Sequence, residues 1–325
     1  MNYEKVFEKL IDKTKNYLEL NNLCAMILGI SGGLDSTVTA AICHEVEKRN
    51  PELKFYGVSL PCSSNTEVEN DSAQACMKAF CKPDQYWTEN LQKEYMLMKA
   101  TCCQRHSPTT IGQGNIKARL RMIYLYDIAN YTSGLVMDTD NLTEHYLGFF
   151  TIHGDVADFN PIGGLWKHEV YELAMYIRDK YEKDMKNHPM SPDSFDWVDD
   201  ANVMESFKNK IDALNHAIGI TPTDGNGVNA LGDMGQIAPQ FAHDNNYEAY
   251  KKVDDIIQTY LEYSGHHTEE YLIALDELHQ KYLPLIDNDV VVQDSVNDVI
   301  SRIKRTEYKR KGLPVVIERS EYTND

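Results

Sequence analysis

Positive charge is scarce in this chain: 32 lysines and arginines stand against 50 aspartates and glutamates, a net charge of −18 over 325 residues. A protein that grips RNA or DNA needs a basic face to displace counterions, and this composition repels a polyanion. No apolar run reaches the length of a membrane span. The N-terminus Met1-Asn-Tyr-Glu-Lys5 lacks the basic start and apolar stretch of a secretory leader. A cytoplasmic protein with small-molecule partners, and neither nucleic acid nor membrane, is therefore expected. Cysteine is sparse, and the seven, at 24, 43, 62, 76, 81, 102 and 103, fall in the first third, which suits reduced thiols better than a disulfide framework. Cys102, Cys103 and His106 have no fourth partner at zinc-like spacing. Internal repeats are missing. So are the G-x-x-x-x-G-K-[ST] lysine loop and the G-x-G-x-x-G fingerprint, which turns the reading away from ordinary phosphoryl transfer and hydride transfer.

What is present is the segment Met26-Ile-Leu-Gly-Ile-Ser-Gly-Gly-Leu-Asp-Ser-Thr37. An apolar run, read as a strand over 24–30, ends in a paired-glycine turn that reopens into a helical pattern over 37–47. Gly32 and Gly33 let the backbone approach an anion, while serine hydroxyls and helix-start N–H groups point toward it. Asp35 would repel phosphate unless a divalent cation lay between them, which suggests Mg²⁺ on a pyrophosphate. Ser31-Gly-Gly-Leu-Asp-Ser36 resembles the pyrophosphate loop of the N-type ATP pyrophosphatases, which split ATP into AMP and pyrophosphate to activate a carbonyl or carboxyl group.

Apolar spacing predicts a helix over 3–20, strands over 54–60, 85–88 and 134–137, and helices over 67–80, 115–131, 167–181, 253–263 and 269–282. Alternating strands and helices imply an α/β fold with a doubly wound, mostly parallel sheet. Ligands of such sheets bind beyond the carboxyl ends of the strands, which directs attention to Gly29-Ile30 and Met137-Asp138. Pro189, Pro192 and several acids read as a surface insertion, and the Gly- and Asn-rich stretch 219–235 as a lid. The basic run Arg302 to Lys311 reads as a short cationic clamp for a phosphate-bearing small ligand.

On 115–131, Arg119 lies four residues from Asn115, so both can face one anionic ligand. Glu144 follows the fourth strand, where it could share Mg²⁺ with Asp35. Then come Gly148 to Pro161 and Lys167. Together with Ser31–Ser36, Gly114–Met122 and Asp138–Glu144, these motifs resemble the NAD synthetase family, in order over roughly 26–170, with weaker echoes at 221–224 and 306–310. The resemblance implies a homodimeric, Rossmann-like ligase that uses ATP and Mg²⁺ to convert deamido-NAD to NAD through an adenylated carboxyl. It implies that Gly29, Ile30, Ser31, Gly32, Gly33, Leu34, Asp35, Ser36, Thr139, Lys167 and Thr223 contact ATP, and that Asp35 and Glu144 bind Mg²⁺. Arg119, Asp158, Tyr308 and Lys309 would contact deamido-NAD, and Asp155 would orient or deprotonate ammonium. A single domain over 1–325 is expected, with an insertion or lid within 181–245 and a helical part over 246–325. Only 23 residues precede Cys24, so no glutaminase domain is expected, and ammonia is free or supplied by a separate subunit. The chain departs from the family pattern at Ser59 (usually Arg), Cys62 (usually Tyr), Ile152 (usually Lys at the dinucleotide site) and Tyr308 (usually His), and the spacing from Asp155 to Asp158 is one residue short. Another pyrophosphate-loop ligase, a tRNA-modifying enzyme and an inactive nucleotide-binding relative are the alternatives.

Overall fold

In the computed structural model, which describes residues 1–62, 65–107, 109–188, 197–220, 234–265, 268–287 and 290–310, the apolar run before the glycine pair becomes the central strand. Ala25–Gly29 (β1) pairs in parallel with Lys54–Ser59 (β2) on one side and Gly134–Val136 (β4) on the other, and Tyr86–Thr88 (β3) lies beyond β2. The order β3-β2-β1-β4 reverses between β1 and β4, the switch point at which such sheets bind ligands. Both faces of β1 are covered. Met26 and Leu28 enter a large core with Phe55, and Ala25 and Ile27 a smaller one with Val58, Met122 and Leu125, which is why the strand sequence is apolar without alternation.

The first helices are Tyr3–Leu20 (α1), Leu34–Arg49 (α2), Glu67–Phe80 (α3), Gln92–Cys102 (α4), Thr110–Tyr131 (α5), Leu142–Leu147 (α6) and Lys167–Lys186 (α7). Then follow Trp197–Gly219 (α8), Met234–Ile237 (α9), Asn246–Tyr263 (α10) and Thr268–Lys281 (α11), a hairpin of Leu285–Asp287 (β5) and Val290–Gln293 (β6), and Ser295–Arg305 (α12) and Glu307–Arg310 (α13). Helices α2 and α3 pack on one face of the sheet and α5 on the other. Among the described residues, no helix is long and apolar enough to cross a membrane. All seven cysteines are free thiols, and burial pushes that of Cys76 up to about 12.

Four sequence expectations change. Helix α2 begins at Leu34, not Thr37, because the first turn accepts Asp35 at the positive end of the helix dipole. Helix α5 starts at Thr110, where the Thr109 hydroxyl oxygen accepts the Gly112 N–H at 3.0 Å. Within 181–245, read as a polar insertion or lid, α8 is a core helix, while Pro189, Pro192 and most of the 219–235 stretch read as the lid lie outside the described residues. Phe207, Ile211, Leu214 and Ile218 recur every three or four residues and join the main core, and α8 packs on α2, α3 and α7. The 246–325 part, read as helical, also contains the β5–β6 hairpin, whose Val290-Val-Val is a β-branched run.

Candidate active site

The pyrophosphate loop is shaped from within. Ser31 Oγ lies 3.0 Å from Ser36 Oγ and accepts the Gly33 N–H at 3.2 Å, and Ser36 Oγ donates to the Gly33 carbonyl at 3.1 Å. No side chain caps α2 at Gly33, so the first-turn amides face the loop as an anion cradle. Gly32 has φ +78°, and a Cβ there would lie 2.4 Å from the Ala73 nitrogen and the Ser72 carbonyl carbon on α3. Gly32→Ala therefore combines left-handed strain of about 1–3 kcal/mol with a clash against backbone. It is expected to displace the loop and raise KM for ATP about tenfold or more, equivalent to about 1.4 kcal/mol; nucleotide titration of the variant checks this.

Lys167, at the first position of α7, is only 2 % exposed, and its ammonium bonds Asp35 Oδ2 and, at 3.2 Å, Glu144 Oε1. Asn141 holds the other two oxygens: its Nδ2 donates to Asp35 Oδ1 at 3.0 Å and its backbone N–H to Glu144 Oε2 at 3.1 Å. Burial alone would lower the lysine pKa, but Asp35 and Glu144 outweigh it and hold the pKa well above the usual lysine range. The base of this lysine is anchored as well. Its N–H donates to Thr143 Oγ1 at 2.8 Å, and that hydroxyl donates to Asp254 Oδ1, a fully buried carboxylate of α10. The other Asp254 oxygen lies 3.1 Å from the His168 backbone nitrogen, which donates to it, and 2.7 Å from His168 Nδ1. Burial depresses the His168 pKa, and the Asp254 hydrogen bond and charge more than reverse this. Asp254, 87 residues beyond the lysine it positions, carried no signal in the sequence.

Three of the predicted dinucleotide residues, Arg119, Asp158 and Lys309, bond the protein's own backbone, although Arg119 and Asp158 remain exposed. Asn115 and Arg119 do share a face, but they hold the 151–152 turn: Thr151 Oγ1 donates to Asn115 Oδ1 at 2.8 Å, and Arg119 Nε and Nη2 donate to the Ile152 carbonyl at 3.3 and 3.0 Å. Asp155 closes the same turn, accepting the Thr151 N–H at 2.7 Å. Asp158 accepts the Val136 N–H at 2.9 Å and the Tyr126 hydroxyl at 3.0 Å, so it covers the edge of β4. Burial and this bond push the Tyr126 pKa up to about 12. Thr139 is half-buried in the turn after β4, Tyr308 is exposed, and Thr223 lies outside the described residues.

The basic run is not an open clamp. Arg310 Nη1 donates to the Tyr146 carbonyl at 2.6 Å, Arg302 Nε to that of Leu147 at 3.0 Å, and Lys309 Nζ to those of Gly148, at 2.7 Å, and Phe150. These are the last carbonyls of α6 and the loop after it, which lack helical partners and carry the negative end of the dipole. Lys311 lies outside the described residues. Lys309→Met is expected to cost about 1.5–3 kcal/mol, as for a charged hydrogen bond, and to raise KM for the carboxyl substrate more than that for ATP; thermal melts and two-substrate kinetics check both.

Two further residues of the site, besides Asp254, escaped sequence reasoning. Asp140 lies among acids, and its pKa is driven well above the carboxylate range by burial, then by Asp138, Glu144, Asp155 and Asp35. Asp138 is itself raised by burial, although it accepts the Ala157 N–H at 2.8 Å and that of Asp140 at 2.7 Å. Arg121 places a guanidinium at the end of β2, with Nε donating to the Leu60 carbonyl at 3.0 Å, beside Ser59 where the family pattern has arginine.

A pyrophosphate loop at the switch point of a parallel sheet, with a carboxylate pair beside it, defines a nucleotide-dependent ligase of the ATP pyrophosphatase class. Residues 6–216 match the NAD synthase family model. The chain belongs to the NAD synthase family. It is 32 % identical over 219 residues to the NH₃-dependent NAD⁺ synthetase of Campylobacter jejuni subsp. doylei, covering 65 % of this chain and 82 % of that one. It is 36 % identical over 180 residues to that of Carboxydothermus hydrogenoformans, covering 54 % and 71 %. Among solved structures, an NH₃-dependent NAD synthetase from Campylobacter jejuni superposes with a TM-score of 0.50 at 26 % identity over 68 % of this chain and 98 % of that one. An NMN synthetase from Francisella tularensis shares the fold over 98 % of this chain and 99 % of its own, with a TM-score of 0.66 at 19 % identity.

Proposed function

We propose that the chain is an ATP-dependent ligase that amidates the nicotinate carboxyl of deamido-NAD with ammonia, through an acyl-adenylate. The observation that carries this reading is the Asp35–Glu144–Lys167 cluster set against the open start of α2. A nicotinate carboxylate oxygen attacks the α-phosphorus of ATP, and the bond to the bridging oxygen breaks to release pyrophosphate. Ammonia then attacks the adenylated carbonyl carbon, and AMP leaves. The Ser31–Ser36 loop holds the phosphates through backbone N–H groups and hydroxyls, stabilising charge as it develops. Asp35 and Glu144 already share one cation, so their oxygens face a common point. That donor set suits Mg²⁺, which takes one or two carboxylates beside phosphate oxygens and water. When bound there, Mg²⁺ would neutralise the departing pyrophosphate.

Asp155, with Asp138 and Asp140 as neighbours, concentrates ammonium by its field and takes the proton that ammonium loses. Arg119 has used two of its five donors on the Ile152 carbonyl, and the rest suit a phosphate of the acceptor. We further read the protein as cytoplasmic and as a homodimer joined through the exposed apolar residues Leu97, Ile111, Ile123 and Tyr131 of α4 and α5. Incubation with ATP, Mg²⁺, deamido-NAD and excess ammonium should give NAD, AMP and pyrophosphate in equal amounts; folded protein that forms no NAD refutes the reading.

A second acceptor is favoured by one observation. Ile152 places an aliphatic chain where the family pattern has a lysine at the dinucleotide site, which removes a cation from the part that would hold the second nucleotide. Nicotinate mononucleotide, amidated by the same chemistry, is therefore to be compared with deamido-NAD by kcat/KM under identical conditions.

A further inference from the structure

We infer that Lys167 is a cation place-holder: in the nucleotide-free enzyme its ammonium fills the position between Asp35 and Glu144 that the divalent cation takes when ATP binds, so metal enters only with nucleotide. The inference rests on the metal role proposed above for the two carboxylates. The pair is posed in advance, because Asn141 fixes one oxygen of each acid while Lys167 holds the other. A metal arriving therefore finds ligands already oriented, and the lysine already there.

The lysine cannot retreat as a whole. Its backbone is tied through Thr143 to Asp254, and its neighbour His168 is held by the same carboxylate, so only the side chain can swing. The ammonium lies 5.4 Å from the centre of the Tyr250 ring, and Tyr171 is also close. Neither ring supplies a negative charge to a displaced ammonium. A divalent cation entering alone would thus compete with a buried positive charge for the same two carboxylates, in surroundings that screen poorly. ATP changes the balance. Its phosphates, seated over the first turn of α2, supply anionic oxygens that receive the ammonium while the metal takes Asp35 and Glu144. Lys167 then serves the same reaction twice, first as a stand-in for the metal and then as a phosphate ligand.

Mn²⁺ is the probe, its free concentration read by electron paramagnetic resonance on the full chain. The wild type is expected to bind Mn²⁺ at least tenfold more weakly without nucleotide than with a non-hydrolysable ATP analogue. Lys167→Met, which removes the charge, should raise nucleotide-free Mn²⁺ affinity at least tenfold. Lys167→Arg, which keeps the charge, should leave Mn²⁺ excluded. Tight nucleotide-free binding by the wild type overturns the inference and needs no variant to fold. So does a folded Lys167→Met protein with no gain in Mn²⁺ affinity. If Asp35→Asn binds Mn²⁺ with the ATP analogue as tightly as the wild type, the metal role of Asp35 has itself failed and the place-holder falls with it.

Discussion

Asp35→Asn is expected to lower the rate of pyrophosphate release by about 10³-fold or more, equivalent to about 4 kcal/mol of transition-state stabilisation. The asparagine keeps the shape of the side chain and an oxygen for Asn141 Nδ2 to bond, which in the native protein meets Asp35 Oδ1 at 3.0 Å. What it removes is charge at the point where the Lys167 ammonium now sits. Half of the carboxylate pair that would hold Mg²⁺ is then lost, and metal-supplied neutralisation of the leaving group is lost with it. Asparagine is the better probe than alanine, because alanine also strips Asn141 and Lys167 of a partner and so mixes a folding defect with a catalytic one. Stopped assays of pyrophosphate, run beside a thermal melt, separate the two. A variant that melts close to the wild type and turns over within tenfold of it would remove Asp35 from the metal site.

The loop and its strand were legible because their signals are local. An apolar run covered on both faces, a glycine pair and an acid at a fixed offset all lie within 12 residues, and β1 and the start of α2 stand within a few residues of where the pattern puts them. The proximity of Asp35 and Glu144 was legible through order along the chain, since both follow strands that prove adjacent at the switch point. Lys167 was placed beside ATP, yet nothing in its spacing says that it bridges the two acids, a fact that depends on how α6 and α7 meet. The structural bonds of Arg119, Asp158 and Lys309 were not legible for a related reason. A charged residue near a ligand site and one that satisfies a buried carbonyl or edge amide look identical in sequence, and only the paths of the 146–159 loop and of β4 distinguish them. Helix α8 is the opposite case. Its apolar stripe at 207, 211, 214 and 218 was present in the sequence, masked by the prolines and acids just before it.

Lys167→Met is expected to destabilise the protein by about 3–5 kcal/mol, the cost of removing one partner from a buried ion pair, even though methionine fills much of the same volume. Lysine here is 2 % exposed, against 17 % for each carboxylate, so its removal leaves two like charges facing each other with little water to screen them. The pH dependence identifies the cause. Because the folded-state pKa of Lys167 lies above its unfolded value, about 10.4, the stability it contributes is fully present below that unfolded pKa and is lost only as pH rises through the still higher folded value. The wild-type contribution is accordingly level from neutral pH to about 9, and the deficit of the variant should be level there too. Above that plateau the ammonium deprotonates in the wild type, and the two stabilities should converge as pH rises through the folded value. Denaturant unfolding of both proteins at several pH values tests this. A deficit that stays constant as pH rises through the folded value would mean that the methionine disturbs packing rather than charge. Convergence would mean that Asp35 and Glu144 are held together, in the absence of nucleotide, by the charge of this one lysine.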